Sequence, residues 1–292
     1  MADVSALLLS LGEPTTQCAH RALLNQTVAL DRIVRIEGVS PFSKAFNLGV
    51  SRISTEYFLQ CDADMVLKPE CVEVLLDAMA CEYALVFGYL RDPLLGSVQG
   101  VKLFRTSVCR DFPLKPLAHC ESQQLEDWSA AGWKFLKLTR CLGTHRTDRS
   151  NSVYNFERFR RIGFKTRVRR GWKDLTNRLT KLRKRADDPA VPSLVAAALS
   201  GAFEQRSGDI LTPAVDSPGL LRWLGDGSDD FVRRQLRSDD YKDWIALAHF
   251  CKTKILDESD VVDESDFLVP WERYLAEELS THLTSDRGCV FR

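Results

Sequence analysis

Glu56-Tyr57-Phe58-Leu59-Gln60-Cys61-Asp62-Ala63-Asp64-Met65 is the stretch on which the reading of this chain turns. Its first part, Glu56 to Cys61, is a mostly apolar run of strand length, as suits a strand covered on both faces. The strand stops at Asp62-Ala63-Asp64. Alternate residues just past a strand end can aim two carboxylates, directly or through one water, at a single hard cation such as magnesium or manganese. Taken alone, the triplet fits a solvated loop equally well. Its neighbours decide between the two.

Working outward, the pattern alternates between strands and helices. Val4 to Ser10 is a near-continuous apolar run, followed by a Gly12-Glu13-Pro14 turn. Asp3 and no basic residue precede it, so it reads as a buried first strand and not as a signal peptide. A helix is expected over Cys18 to Gln26 and a strand over Arg32 to Glu37, ending at Gly38. A second helix starts near Ser40-Pro41 and runs through Phe46, Leu48 and Val50, with proline suited to the first turn. After the acidic triplet, Pro69 opens a helix whose Val72, Leu75, Leu76 and Met79 share one face, and Tyr83 to Tyr89 resumes strand character. Gly96 to Arg105 reads as a further strand, Glu121 to Gly132 as a helix and Trp133 to Leu138 as a short strand. This order predicts an α/β fold, a Rossmann-like, mostly parallel sheet with flanking helices, in which ligands bind outside the carboxyl ends of the strands. The triplet lies at such an end.

Composition sets outer limits. The 292 residues carry 40 Lys and Arg against 40 Asp and Glu, with 45% hydrophobic residues, enough for a real core. Zero net charge argues against a surface that coats nucleic acid or anionic membrane over its whole extent. The nine cysteines include no C-x-x-C pair and lie mostly in apolar runs, which reads as reduced thiols of a cytoplasmic protein. The apolar stretch Leu194 to Leu199 is far too short to span a bilayer, so any membrane role is peripheral, at the inner face.

Five segments in order resemble the family 2 glycosyltransferases of the GT-A fold, from about Val4 to His145, half of the chain. Val4 to Ser10 with Glu13 resembles the first strand and nucleotide loop, and Asn25-Gln26-Thr27 the family's "Q-T". Lys44-Ala45-Phe46-Asn47-Leu48-Gly49 resembles its "A-x-N-x-G", and Gln60 to Met65 with Pro69 its metal-binding D-x-D segment. Gly100 to Arg105, then Leu125-Glu126-Asp127-Trp128 and Ala131-Gly132-Trp133, resemble its acceptor-side segment.

The resemblance implies a metal-dependent, inverting hexosyltransferase that moves a sugar from a nucleoside-diphosphate sugar to an acceptor hydroxyl on a glycan, a glycolipid or a cell-envelope precursor. Asp64, assisted by Asp62, would hold Mn2+ or Mg2+ against the diphosphate, and His145 would join the metal or the diphosphate. Asp127 would be the general base, with Glu126 orienting it or the acceptor. Glu13, Glu37, Lys44, Asp62 and Arg105 would contact the donor. Each has a plainer reading: Glu126 and Asp127 as solvated helix residues, Glu37 as a solvated strand end, Lys44 and Arg105 as surface cations, His145 as a surface histidine. The loop Gly38-Val39-Ser40 lacks the acidic turn common in the family, which puts the nucleobase contact in question.

Residues 1–150 are thus expected to form the donor-binding and catalytic domain, and 151–292 a mainly helical region with a basic start and an acidic end. Arg158 to Arg185 holds thirteen Lys or Arg against Asp174, while acids gather between Asp226 and Asp266. The basic run fits an anionic membrane surface, a phosphate-rich acceptor or nucleic acid, or the acidic end of its own chain or of a second subunit in a homo-oligomer. No nucleic-acid module accompanies it. The rival to the enzyme is a non-catalytic α/β scaffold that binds an acidic partner or membrane through 158–185. A nucleotidyltransferase is a third reading, weakened by a first loop without lysine or arginine.

Overall fold

In the computed structural model, which describes residues 3–117, 120–146, 152–204, 218–224, 229–256, 261 and 268–285, the chain divides into two compact units, the first ending its main span at Asp148.

The first unit is built on a seven-stranded sheet in the order β2-β1-β3-β6-β5-β7-β4. β1 (Val4–Ser10), β2 (Ile33–Glu37) and β3 (Tyr57–Asp62) run parallel, so their carboxyl ends share one edge of the sheet. β1 is buried along its whole length, because α1 (Thr16–Leu24) and α2 (Phe42–Ser51) cover its two faces. One core gathers Leu8, Leu59 and Leu103 with α1 and α3 (Cys71–Asp77), the other Leu7, Phe58 and Phe104 with α2. Phe58 stacks on Phe104 with ring centroids 5.0 Å apart.

Beyond β3 the sheet is mixed where the sequence predicts it mostly parallel. β6 (Gly96–Arg105) runs antiparallel to both β3 and β5 (Tyr83–Asp92), since a tight turn at residues 93–95 returns the chain directly beside β5. β7 (Lys134–His145) pairs in parallel with β5 and continues past the predicted end at Leu138. Its last residues pair with β4 (Met65–Leu67), a three-residue strand that no periodicity announces. Gly143 makes that pairing possible: a Cβ there would lie 2.6 Å from the Val66 carbonyl oxygen. Short α4 (Thr106–Asp111) and then α5 (Cys120–Ala130) complete the unit.

The second unit is helical among its described residues: α6 (Ser152–Arg183), α7 (Val191–Phe203), α8 (Pro218–Leu224), α9 (Asp229–Arg237), α10 (Tyr241–Ile255) and α11 (Leu268–Ser285). α6 is broken at Gly171, where the backbone leaves the helical region. Twelve of the thirteen residues of α7 are buried, which accounts for its apolar run, and no described helix is long and apolar enough to cross a membrane. Cations of the basic run have partners within the unit. Arg160 meets Glu157 and Glu204, Arg167 donates to the Ala202 carbonyl, and Arg183 pairs with Asp239. These contacts favour the intramolecular reading of the run. Of the acidic end, Asp226, Asp257, Glu258, Asp260, Asp263, Glu264 and Asp266 lie outside the described residues.

α6 and α7 touch backbone to backbone at two glycines. A Cβ on Gly163 would stand 1.8 Å from the Ala198 carbonyl oxygen, and one on Gly201 would stand 1.9 Å from that of Arg160. Backbone cannot step aside as a side chain can, so even one methyl separates the helices. Gly163→Ala is expected to destabilise the second unit by about 2–3 kcal/mol, read as a lower urea midpoint. An unchanged midpoint would show that the helices are not in such close contact.

Candidate active site

Asp62 ends β3 and Asp64 sits in the turn before β4, so the predicted acidic pair lies at the shared carboxyl edge of β1, β2 and β3. Gln60 Nε2 donates to Asp62 Oδ1 at 2.8 Å. Burial first, and then the neighbouring Asp64, push the Asp62 carboxyl up to about 6, against the pull of Lys102 and the Gln60 bond. Two acids in one partly dry corner resist simultaneous ionisation, and a cation or other positive charge would relieve that conflict.

His145, the last residue of β7, is brought to the pair by register, because it lies opposite Met65 in the β4–β7 ladder. Its Nε2 is 3.0 Å from Asp64 Oδ2 and its Nδ1 is 2.7 Å from Asp92 Oδ2. Asp92 ends β5 with a fully buried side chain, and its Oδ1 also accepts the Leu94 and Leu95 backbone N–H groups at 2.7 Å each. The sequence reading missed Asp92; the Asp92-Pro93 step after an apolar strand is the signal that could have found it.

Lys102 and Glu121 were missed as well. Lys102 faces Gln60 across the β3–β6 ladder. Burial pushes its ammonium down, but Glu121 and then Asp62 outweigh that and hold it above the usual lysine range. Glu121, in the first turn of α5, forms an ion pair with Lys102, and its charge is felt at Asp62. Both residues line a small cleft walled by Phe42, Phe46, Phe104 and Trp128. A charged residue inside the apolar run Val101 to Phe104 was the available signal for Lys102.

The other predicted residues are placed as follows. Asp127 lies further along α5, where Lys115 Nζ at 2.7 Å holds its carboxyl below the usual range, aided by Gln123 at 3.2 Å. Glu126 is exposed. Glu13 closes its own loop, accepting from Ser10 Oγ at 2.9 Å and the Leu11 N–H at 2.8 Å. Glu37 stands at the carboxyl end of β2, opposite Ser10 and paired with Arg35. Lys44 is exposed on α2. Arg105 is not brought to the acids. It lies opposite Tyr57 in the β3–β6 ladder, at the other end of β3, where it stacks on the Tyr57 ring and pairs with Glu56 at 3.1 Å.

Two of the quoted motifs have structural work. Gln26 accepts from the Val72 N–H at 3.0 Å and donates to the Lys68 carbonyl at 2.9 Å, tying α1 to the start of α3. Asn47 clamps Leu114 through both its N–H and its carbonyl, at 3.0 and 2.8 Å, and so fixes the segment that carries Lys115.

Among the described residues no group of three or more His, Cys, Asp or Glu is arranged to hold a metal ion. Asp64 and His145 form a convergent oxygen and nitrogen pair. Such a pair fits a divalent cation whose remaining positions are filled by diphosphate oxygens and water.

Residues 32–163 match the family model described as Glycosyl transferase family 2, a little under half of the chain. No curated protein matches it. Among solved structures it is similar to the mannosyltransferase PcManGT from Pyrobaculum calidifontis in complex with GDP-Man and Mn2+. That match has 12% identity, covers 87% of this chain and 89% of that one, and has a TM-score of 0.47. Glucosyl-3-phosphoglycerate synthase from Mycobacterium tuberculosis with Mg2+ and UDP gives 13%, 58%, 80% and 0.42 in the same order. A 2-C-methyl-D-erythritol 4-phosphate cytidylyltransferase from Thermus thermophilus gives 13%, 51%, 95% and 0.39.

Proposed function

We propose that this chain, whose residues 32–163 match the family 2 glycosyl transferase model, is a metal-dependent inverting transferase that moves a hexosyl group from a nucleoside-diphosphate sugar to an acceptor hydroxyl. The observation that carries this reading is the convergence of Asp64 Oδ2 and His145 Nε2 beside Asp62, at the carboxyl ends of three parallel strands. In such sheets the ligand crevice lies there. A bound Mn2+ or Mg2+ supplies charge neutralisation at the departing diphosphate, and the imidazole in the donor set favours Mn2+.

The chain's own residues then have distinct tasks. Asp64 and His145 hold the cation, and Asp62 supports them through its charge. Glu37, at the same sheet edge, is positioned for the nucleoside. Glu121 is the carboxylate of α5 whose charge reaches Asp62, and it opens on the aromatic cleft with Lys102 at its side. Both it and Asp127 pair with a lysine, and it is the position beside Asp62 and the cleft that suits Glu121 better than Asp127 to take the acceptor's proton. The cleft between aromatic walls would receive the acceptor, of glycan, glycolipid or cell-envelope type.

Calorimetric titration of the protein with uridine, guanosine and thymidine diphosphate-sugars tests the reading. One nucleotide should bind with Mn2+ present and lose measurable affinity when EDTA is added, and the transferred sugar should show the opposite anomeric configuration by NMR. Absence of binding by every nucleotide in the presence of Mn2+ would overturn the assignment.

A further inference from the structure

We propose that Asp92 is a positioning residue that fixes the tautomer of His145, so that the ring's Nε2 is the nitrogen offered to the cation. The inference rests on the reading of Asp64 and His145 as the metal pair.

The sheet itself sets the geometry. Arg91 lies opposite Thr144 in the β5–β7 ladder, which puts Asp92 beside His145, and Met65 lies opposite His145 in the β4–β7 ladder, which puts Asp64 on the other side. The imidazole is thus held between two carboxylates from two different strand ends. Asp92 is the buried one. Its Oδ1 accepts two backbone N–H groups, and its Oδ2 lies 2.7 Å from Nδ1. An ionised carboxylate can only accept, so the proton of that bond sits on Nδ1. Nε2 is then the nitrogen that faces Asp64 Oδ2 at 3.0 Å, donating to that carboxylate while no cation is present and offering its in-plane electron pair to a cation held with Asp64.

A turn-forming role alone would not require a carboxylate. Asparagine closes the same turn, because its carbonyl oxygen also accepts from the Leu94 and Leu95 N–H groups. What asparagine cannot do is accept from Nδ1 with its second group, since its amide nitrogen donates. In Asp92→Asn the amide N–H would bond to the Nδ1 lone pair and move the ring proton to Nε2, which removes the metal-facing donor without removing the imidazole. A carboxylate or carbonyl behind a ligating histidine is the usual way in which ring tautomer and orientation are fixed, and its loss typically weakens metal binding about 10–100-fold.

The experiment measures Mn2+ binding by electron paramagnetic resonance for wild type, Asp92→Asn and His145→Ala, with a thermal melt of each. It also records the His145 ring nitrogens by long-range proton–nitrogen NMR in an Asp64→Ala background, where the competing carboxylate is gone. Asp92→Asn is expected to bind Mn2+ about 10–100-fold more weakly while melting close to wild type, as His145→Ala also loses affinity. The ring proton should be on Nδ1 with Asp92 in place and on Nε2 in the Asp92→Asn variant, where an amide stands behind the ring. If His145→Ala loses Mn2+ affinity and Asp92→Asn does not, the role of Asp92 is overturned and the metal pair stands. If neither loses it, the metal pair itself fails. Should Asp92→Asn not fold, the NMR measurement with Asp92 present decides alone: a proton on Nε2 rejects the proposal and one on Nδ1 supports it.

Discussion

Metal-free Asp62→Asn is expected to melt higher than the wild-type protein above pH 7 and at about the same temperature near pH 4, while losing at least about tenfold in sugar transfer. An unfolded aspartate releases its proton near pH 3.9, whereas the folded Asp62 keeps it up to about 6. Between those values the folded state binds more protons than the unfolded one, so stability falls as pH rises, and above about 6 the whole penalty is present. Each unit of such a shift corresponds to about 1.4 kcal/mol. Partial exposure of the group reduces that, leaving a penalty on the order of 1–2 kcal/mol, or roughly 3–6 °C in melting temperature for a unit of this size. The neutral amide removes the penalty and still accepts the Gln60 bond. Lys102 keeps Glu121 as a partner. A variant that melts no higher at pH 8, or whose advantage does not shrink toward pH 4, would show that Asp62 is not a strained carboxylate. The trade of stability for charge at one corner is what a cation-binding function would maintain.

The sequence made the acidic corner legible because everything needed to see it is local. An apolar run, two acids at alternate positions and Pro69 all fall within fourteen residues. The resemblance marked His145, but only strand pairing could place it. What could not be read came by strand pairing across long separations. Lys102 reaches Asp62 through its register with Gln60, and Asp92 reaches His145 through β7. The same registers explain the misplacement of Arg105, which a family-like segment marked as a donor contact. An antiparallel β6 puts it opposite Tyr57, five residues and about 17 Å from the end of β3 at Asp62. β4 was invisible because three residues carry no periodicity; it exists because β7 and Gly143 offer it a partner. In the second unit the run of cations was plain, but its partners Glu204 and Asp239 lie 44 and 56 residues away from Arg160 and Arg183.

Glu121→Gln is expected to lower kcat by about 10²–10⁴-fold with the donor's affinity unchanged, whereas Asp127→Asn should cost less than about tenfold. The two carboxylates sit on one helix, six residues apart. At 100° per residue they point about 120° apart, so one short helix turns them toward different sides. Glu121 is on the side of Lys102, Asp62 and the cleft, while Asp127 is tied to Lys115 and Gln123. A general base must lie within hydrogen-bonding reach of the proton it takes, and position rather than acid strength therefore separates the candidates. Glutamine keeps the shape of the glutamate and can still accept from Lys102, so the fold and the cleft should survive while proton abstraction does not. Single-turnover transfer, with donor binding measured on the same samples, distinguishes a lost base from a lost site. If Asp127→Asn abolishes turnover and Glu121→Gln leaves it intact, the acceptor approaches from the Lys115 side of α5 and the aromatic cleft is not its seat.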